Sequence, residues 1–212
     1  MADGSSCNPS HPHRSDVGCG LDTRPWRLEL QPELRWIEVD FPDVLDYKHG
    51  LLAGEKAHCH VERLSVDLND AAQRRALYEA AGTEPSIVIT EGVLMYLPAA
   101  TVDALAAEIP KASGVTHWIS DITTTGFGKA IRGGQTVESG FEHVRAPDAL
   151  EGEQILDVLH TRGWTTEAMR SYIRDAAFTH DRVRRIFGER PQSAPPPFAP
   201  DDPTGIHRFA RA

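Results

Sequence analysis

The chain has 212 residues, 40% of them hydrophobic and 25% charged, which is typical of one globular domain with a substantial core. Its formal net charge of -9 argues against a nucleic acid as the main partner, because phosphate binding requires a clustered basic face. The cysteines Cys7, Cys19 and Cys59 are too few for a disulfide framework, and no apolar stretch approaches the roughly 18 residues that a membrane span needs. Because the first residues also lack the apolar core of a signal peptide, we predict a soluble cytoplasmic protein that contacts no membrane.

The first part of the chain predicts a polar leader followed by alternating strands and helices. Met1 to Asp16 has no apolar periodicity and is predicted to be a disordered leader, which leaves residues 17–212 as a single domain. Leu34 to Asp40 and His60 to Val66 have the composition of strands. The helix predicted between them stops at Gly54. Its apolar face consists of Val44, Leu45, Lys48, Leu51 and Leu52.

A capped helix and a buried strand are predicted next. Asn69 or Asp70 can cap a helix that runs to about Ala81, and Gly82 is its C-terminal stop. Ser86 to Thr90 is a β-branched run, typical of a strand buried on both faces.

The same alternation continues in the second half. Apolar positions from Val102 to Ala112 repeat at helical spacing, and His117 to Asp121 is predicted to be a strand. A further amphipathic helix around Ile155 to Leu159 ends at Gly163. The βαβαβαβ order predicts an α/β fold of the Rossmann-like kind, with a mostly parallel sheet flanked by helices.

Two stretches near the end of the chain lack regular periodicity. Gly126 to Pro147 has scattered glycines and is predicted to be a mobile loop. Pro191 to Pro203 contains six prolines in thirteen residues and can form neither a helix nor a central strand. Ile206 to Ala210 is predicted to return as a last edge strand.

Four short motifs stand where predicted strands end. They are GCGLDTRPWRL (Gly18 to Leu28), WIEVDFP (Trp36 to Pro42), VDL (Val66 to Leu68) and ITEGVLMYL (Ile89 to Leu97). Each places a glycine or an acid at the carboxyl end of a strand, which is where an open α/β sheet binds a nucleotide-like ligand. The motifs together therefore predict a ligand site at this edge of the sheet.

The first two motifs supply a glycine turn and an acid. Gly18 and Gly20 flank Cys19 in a turn whose backbone N–H groups can approach a ligand, although an ordinary glycine turn has the same pattern. Asp40 follows twenty residues after Gly20, at a strand end, where a carboxylate can accept both hydroxyls of a ribose. Glu38 projects from the same face of that strand and is the nearest competitor for this role.

The last two motifs supply further candidate contacts. Asp67 and Leu68 suit an adenine ring, with a polar group for its amine and an apolar one for its face, but Asp67 is equally placed to cap a helix. Glu91 can bond a ligand ammonium or ribose or complement a cationic sulfur, with a solvated strand-end acid as the alternative.

Residues around these motifs offer weaker signals. Asp22 continues the glycine turn and can reach the far end of the same ligand. Arg24 and Arg27 can pair with Glu38 or Asp40, and we assign neither arginine a chemical role. Tyr96 is the one nearby group that we expect to contact a second substrate. Val93, Leu94 and Met95 are apolar enough to be pocket wall or core, and we interpret them as core.

Metal and serine-hydrolase chemistry are not indicated. His58, Cys59 and His60 are adjacent, and adjacent residues of a strand point to opposite faces. No paired metal-ligand spacing and no GxSxG motif occur in the chain. We therefore predict no metal site.

In combination, GCGLDTRPWRL, EVDFP with Lys48 six residues beyond, VDL and EGVLMYL resemble the cofactor half of the leucine carboxyl methyltransferase family. The resemblance implies a Rossmann-like methyltransferase fold and S-adenosyl-L-methionine as the cofactor. The cofactor contacts that it implies fall on Gly18, Gly20, Asp40, Asp67, Leu68 and Glu91.

The start of the chain departs from the family pattern. Family members carry an upstream helical region, with a cofactor-contacting arginine, and an apolar strand that leads into the glycine turn. Here HPHRSDV stands in that place, and Val17 is its only strongly apolar residue. We therefore expect an N-terminally truncated member whose first strand and N-terminal helices are missing or degraded, which leaves the flanking strands without their central partner.

These observations predict an S-adenosyl-L-methionine-dependent methyltransferase that methylates a carboxylate or hydroxyl oxygen of a small molecule or peptide. A carboxylate acceptor is ionised at neutral pH and needs no general base, so no catalytic residue is assigned beyond an acceptor contact from Tyr96. The alternative is a truncated or degenerate domain without catalysis that acts as an interaction module. A nicotinamide dehydrogenase fits less well, because Thr23 takes the place of the third glycine in GxGxxG. The oligomeric state is not indicated.

Overall fold

The computed structural model describes residues 13–126, 145–172 and 202–211. Within these residues seven strands form one sheet, with the order β3-β2-β1-β4-β5-β7-β6. The strands are β1 (His13–Val17), β2 (Arg35–Asp40), β3 (His60–Ser65), β4 (Ser86–Thr90), β5 (Val115–Ile122), β6 (Trp164–Ser171) and β7 (Gly205–Arg211). The helices are α1 (Arg24–Arg27), α2 (Pro42–Leu51), α3 (Ala71–Ala81), α4 (Ala99–Ala112) and α5 (Gly152–Thr161).

Strands β1 to β5 are parallel, and β7 runs antiparallel to both of its neighbours, β5 and β6. The chain moves outward from β1 to β3 and then returns to place β4 on the other side of β1. This reversal creates a switch point between β1 and β4, which is where doubly wound sheets bind their ligands. The predicted Rossmann-like α/β fold is confirmed. None of the helices in the described ranges is long and apolar enough to cross a membrane.

The first strand is in place, so our expectation that it would be missing or degraded is wrong as to the strand itself. His13–Val17 pairs in parallel with β2 along its whole length, and with β4 from His13 to Asp16. Parallel ladders are made by backbone groups, so a polar sequence such as HRSDV can form one when its side chains are accommodated. The predicted leader therefore overlaps this strand from His13 onward, and residues 1–12 lie outside the described part of the chain.

The main core lies between the sheet and helices α3, α4 and α5. Trp118 and Trp164 are fully buried in it and pack edge to face, with ring centroids 5.4 Å apart. Each indole N–H has a partner: Trp118 Nε1 donates to Thr90 Oγ1 at 2.8 Å, and Trp164 Nε1 donates to the Ala106 carbonyl at 3.0 Å. These bonds remove the cost of burying two polar indole groups.

Several elements match the sequence-based predictions closely. Strand β4 spans the predicted Ser86–Thr90, and α3 ends at Ala81, before Gly82. The capping residue of α3 is Asp70, whose Oδ1 accepts the N–H groups of Ala72 at 2.7 Å and Gln73 at 3.2 Å. Local capping and stop signals therefore defined this helix correctly.

The far side of the sheet differs from the prediction. Strand β7 is inserted between β5 and β6 and is not an edge strand. Strand β6 was not predicted, because its sequence WTTEAMRS is mostly exposed and lacks a buried apolar alternation. The predicted loop Gly126 to Pro147 and the proline-rich stretch Pro191 to Pro203 lie mostly outside the described residues.

A small void of about 20 Å³ beside Ser15 leads to a stability prediction. Ser15 is 3% exposed in the central strand, and apolar side chains including Val17, Leu77 and Val88 line the void. We expect Ser15→Val to stabilise the protein by about 1 kcal/mol, because it fills apolar space and favours a strand. Urea unfolding measures this change. Ser65→Val, at an exposed site in β3, is the matched control and should shift stability by less than about 0.5 kcal/mol; an equal gain in both variants contradicts the prediction.

Candidate functional site

A cleft of about 360 Å³ opens at the carboxyl ends of β1, β2 and β4. Its size lies in the range of small-molecule sites, about 300–1,000 Å³. Its walls combine carboxylates with apolar side chains, a composition that suits a nucleoside. The lining residues are Gly18, Val39, Asp40, Phe41, Val66, Asp67, Leu68, Asn69, Gly92, Val93, Tyr96 and Leu97.

The glycine turn after β1 forms the floor of this cleft. The N–H groups of Gly18 and Cys19 both donate to the Val39 carbonyl, at 2.8 and 3.1 Å, which fixes the turn against β2. Gly18 has φ +70°, and a Cβ atom there would lie 2.1 Å from Val93 Cγ2. Gly18 therefore cannot carry a side chain, for both conformational and steric reasons.

Asp40 is held in a fixed orientation at the cleft wall. Its Oδ2 accepts the Gly20 N–H at 2.8 Å, and its Oδ1 accepts the Phe41 N–H, also at 2.8 Å. The side chain is half-buried, and each carboxylate oxygen retains a lone pair for a further donor. The structure thus joins two predicted site residues, Asp40 and Gly20, although Gly20 itself does not line the cleft.

Glu38 does not compete for the role of Asp40. Its side chain is fully buried, with Lys48 Nζ 2.7 Å from Oε1 and Arg63 Nε 3.1 Å from Oε2. Trp26 of α1 lies against both cations, with its ring centroid 5.9 Å from Lys48 Nζ and 5.8 Å from Arg63 Cζ. Glu38 therefore anchors α1 and α2 to the sheet, and its carboxylate is not available to a ligand.

The buried ion pair can be tested by removing one charge and then both. We expect Lys48→Met to destabilise the protein by about 3–5 kcal/mol, because it leaves the buried Glu38 carboxylate with only the half-exposed Arg63. Adding Glu38→Gln should restore most of that loss, since no buried charge then remains. Equilibrium unfolding in urea measures both variants, and a double variant no more stable than Lys48→Met would contradict this account.

Asp67 and Leu68 follow β3, the strand next to the one that carries Asp40, and the intervening Val66 N–H donates to the Asp40 carbonyl at 3.2 Å. Because Asp70 caps α3, the capping alternative for Asp67 is excluded. Asp67 Oδ1 instead accepts the Asn69 N–H at 2.9 Å, which holds the loop while the half-buried side chain faces the cleft. Leu68 is buried beside it and supplies apolar wall.

Tyr96 lines the cleft at the end of a 3-10 turn, Leu94–Tyr96, that follows β4. Its carbonyl accepts the Ala146 N–H at 3.0 Å, which ties this wall to the segment before α5. Leu94 is fully buried, as predicted for core, whereas Val93 reaches the cleft.

Asp22 and Glu91 lie outside the cleft walls and meet at Arg24. Arg24 Nε contacts Asp22 Oδ2 at 2.6 Å, and Arg24 Nη2 contacts Glu91 Oε2 at 2.6 Å. The suggestion that Arg24 pairs with Glu38 or Asp40 is therefore wrong; its partners come from the glycine turn and from the end of β4. This arrangement links the first and the last of the four motifs.

Asp16 is a site residue that the sequence reasoning missed. It is the second-last residue of β1, two residues before Gly18. Its side chain is 3% exposed, and Arg24 Nη2 lies 3.6 Å from its Oδ2. Burial raises the pKa of Asp16 to about 7, and Arg24 opposes this rise. Burial also acts on Asp22, but the hydrogen bonds from Arg24 hold the pKa of Asp22 below its ordinary value. An acid two residues before a glycine turn was the available signal.

The raised pKa of Asp16 predicts a pH dependence of stability. Between the ordinary value of 3.8 and about 7 the folded chain binds more protons than the unfolded chain, so stability falls as pH rises through this window. The side chain in the Asp16→Asn variant cannot ionise. The Tm of this variant relative to the Tm of the unchanged protein should therefore increase between pH 4.5 and pH 8. We expect a gain of about 4 °C or more, since about 1 kcal/mol shifts Tm by about 2–4 °C at this size. Parallel Tm curves would contradict the assignment.

The histidines near α1 are engaged separately. His58 Nδ1 lies 2.6 Å from the Leu28 carbonyl, and His60 Nε2 lies 3.1 Å from Glu62 Oε1. In the described ranges, no group of three or more His, Cys, Asp and Glu side chains is placed to hold a metal ion.

A mostly parallel sheet with a cleft of about 360 Å³ at its switch point defines an α/β protein of the Rossmann-like class. Residues 16–110 of the chain match the leucine carboxyl methyltransferase family. This match confirms the resemblance that the four motifs predicted.

Relatives of known sequence carry provisional names as S-adenosyl-L-methionine-dependent methyltransferases. The Rhodococcus jostii protein is 31% identical over 175 residues, which are 76% of this chain and 59% of that protein. The Mycolicibacterium smegmatis protein is 38% identical over 126 residues (54% of this chain and 42% of that protein). A Streptomyces coelicolor protein is 35% identical over 100 residues (46% and 35%). The chain thus spans 35% to 59% of the length of these relatives, and their names agree with S-adenosyl-L-methionine as the family's cofactor.

Solved structures show the same fold. A DUF574 family protein from Streptomyces avermitilis has a TM-score of 0.59 and 14% identity, and the match covers 94% of this chain and 75% of that one. The methyltransferase domain of a bacterial Hen1 protein has a TM-score of 0.56 and 11% identity, with 95% and 90% covered. The predicted methyltransferase fold is therefore confirmed.

Proposed function

We propose that this chain binds S-adenosyl-L-methionine in the cleft at the switch point and transfers its methyl group to an oxygen. The acceptor oxygen belongs to a carboxylate or a hydroxyl of a small molecule or peptide. The observation that carries the proposal is Asp40, whose carboxylate is oriented by the Gly20 and Phe41 N–H groups at the cleft wall. The net charge of -9 supports a small molecule or peptide over a nucleic acid as the acceptor.

The residues of the cleft fit the adenosyl group. Asp40 would accept the ribose hydroxyls, because it keeps lone pairs beyond those used by the two backbone donors. Asp67 and Leu68, which line the cleft at the end of the neighbouring strand β3, would hold the adenine amine and ring. Gly18 lines the cleft and would pack against the ligand, whereas its N–H stays bonded to the Val39 carbonyl at 2.8 Å.

Asp22 and Glu91 would face the amino-acid end of the cofactor. Both carboxylates are gathered around Arg24 beside the glycine turn, outside the nucleoside cleft. A site with more carboxylates than cations favours an ammonium or a sulfonium group. We therefore propose that the adenosyl group occupies the cleft and that the charged end lies at the Arg24 cluster.

When bound, S-adenosyl-L-methionine supplies a methyl group on a positively charged sulfur that is already activated for transfer. The chain must then hold the acceptor oxygen in line with that methyl group, at roughly 3–3.5 Å. Tyr96 lines the cleft and would contact the acceptor. A carboxylate acceptor is ionised near pH 7 and requires no proton transfer, so its reaction depends on positioning alone.

The alternative of a non-catalytic interaction module loses its main support in this structure. It rested on a missing first strand, which would have left bare edges at the centre of the sheet. Strand β1 is paired on both sides, so those edges are filled. The motifs of the family also converge on one cleft, as a binding function requires.

Asp40→Ala tests cofactor binding directly. We expect it to weaken binding of S-adenosyl-L-methionine by about 100-fold, because it removes the acceptor of two ribose hydrogen bonds and loosens the glycine turn. Titration calorimetry measures the affinity. Asp46→Ala, an exposed acid on α2 with the same charge change, is the matched control and should bind as the unchanged chain does. Equal affinity of the Asp40 and Asp46 variants would remove the basis of the proposal.

Methyl transfer to oxygen can be tested from the product linkage. With methyl-labelled S-adenosyl-L-methionine and a panel of carboxylic acids, phenols and peptides, we expect label on oxygen. Alkali releases the label as methanol from a methyl ester and leaves a methyl ether intact, which separates the two acceptor types. Label recovered on nitrogen or sulfur would contradict O-methylation while leaving cofactor binding in place.

A further inference from the structure

We propose that Asp16 and Asp22 share one proton in the cofactor-free protein, and that a ligand ammonium group displaces this proton when it binds beside the glycine turn. The inference rests on the proposed function, because the ammonium group is part of the amino-acid end of S-adenosyl-L-methionine. According to this inference, binding of the cofactor is coupled to the release of a proton.

The first observation is a buried carboxyl oxygen that lacks a donor. Asp16 Oδ2 receives no hydrogen bond from any donor group in the described part of the chain. Arg24 Nη2 approaches it only to 3.6 Å, whereas the 2.6 Å contacts of Arg24 go to Asp22 and Glu91. An ionised carboxylate in this position would be buried without adequate compensation. A proton on Asp16 removes that cost.

The second observation is the contact between two carboxyl groups. Asp16 and Asp22 lie on the same guanidinium: Arg24 Nη2 is 3.6 Å from Asp16 Oδ2, and Arg24 Nε is 2.6 Å from Asp22 Oδ2. Each affects the pKa of the other, raising that of Asp16 and lowering that of Asp22, and two carboxyl groups bond only when one of them carries a proton. Arg24 donates to both oxygens of Asp22, from Nε at 2.6 Å and from its backbone N–H at 3.0 Å. Asp22 is therefore the ionised partner, and the proton resides on Asp16.

The charges around Asp16 agree with this assignment. Burial is the largest influence and raises its pKa to about 7; Arg24 of α1 and Lys48 of α2 act in the opposite direction, and Asp22 adds to the rise. Cys19 of the glycine turn faces the same group but stays neutral, because burial raises its thiol pKa to about 12. The neighbouring cations are already committed to other carboxylates, Lys48 to Glu38 among them.

A bound ammonium group changes this balance. It brings one positive charge and three N–H donors, which can satisfy Asp16 Oδ2 and Asp22 together. Asp16 can then ionise: its O–H bond breaks, the proton passes to the solvent, and an ion pair with the ammonium forms. Asp16 is two residues from Gly18, which lines the cleft. The charged end of a ligand whose nucleoside occupies the cleft would therefore lie near the pair, and it must displace the groups that bury Asp16.

The test is a proton count during cofactor binding by the full chain. S-adenosyl-L-methionine is titrated calorimetrically at pH 6.5 in buffers of different ionisation enthalpy, where an α-amino group remains protonated. We expect release of about 0.5–1 proton per site, and an affinity that rises about 10-fold from pH 5.5 to pH 7. Asp16→Asn should release no proton and bind with little pH dependence. Asp46→Asn, at an exposed site, should behave as the unchanged chain does.

Two results would overturn the proposal: no proton release by the unchanged chain, or equal release by Asp16→Asn. Asp22→Asn provides a second variant, because an amide can donate to Asp16 directly and should lower the proton count. If no variant binds the cofactor, the proposed function fails, and displacement by its ammonium fails with it. In that case, NMR titration of the carboxyl ¹³C signals of the ligand-free chain tests separately whether Asp16 and Asp22 share a proton. Titration of Asp16 near pH 4 would show that they do not.

Discussion

The pairing of β1 with both β2 and β4 is the constraint on which the rest of the structure depends. Five residues, His13–Val17, join the outward half of the sheet to the returning half. Without them the carboxyl ends of β2 and β4 would not face each other across one cleft, and the glycine turn would have no strand to continue from. The polar residues Ser15 and Asp16 are buried within this strand. The free-energy cost of burying these polar side chains is offset by the backbone hydrogen bonds of β1 on both sides and by the ion cluster at the end of β1.

Charged clusters on both sides support the glycine turn, in addition to its backbone hydrogen bonds to Val39. On one side, Trp26 lies over Lys48 and Arg63, which both pair with Glu38. On the other side, Arg24 lies near three carboxyl groups, and its Cζ is 5.7 Å from the centre of the Trp36 ring. Buried ion pairs contribute little net stability but hold their partners in one arrangement, because any displacement leaves a charge uncompensated. Such a turn suits a site that must present backbone groups to a ligand in one orientation.

The sequence predicted those features whose signal is local. Asp70 and Gly82 mark the two ends of α3 as capping residues, and a β-branched run predicts β4. Alternation placed Glu38 and Asp40 on one face of β2 but could not say which of them is buried against Lys48, since that depends on a helix packed from elsewhere. The first strand was missed because its hydrogen bonds come from the backbone while its side chains are polar. For the same reason Asp16 escaped notice, although its spacing from Gly18 was visible.

The close approach of Gly18 to Val93 joins two motifs that the sequence separates by more than seventy residues. The hydrogen atom of the glycine occupies the space in which any side chain would collide with Val93 Cγ2, so the two positions form one complementary surface. A mutation at either position therefore changes the packing of the other residue. The two positions should change together or remain fixed during evolution. Two motifs that are distant in the sequence thus meet in space at Gly18 and Val93. Co-variation of these two positions among homologues would reflect this contact.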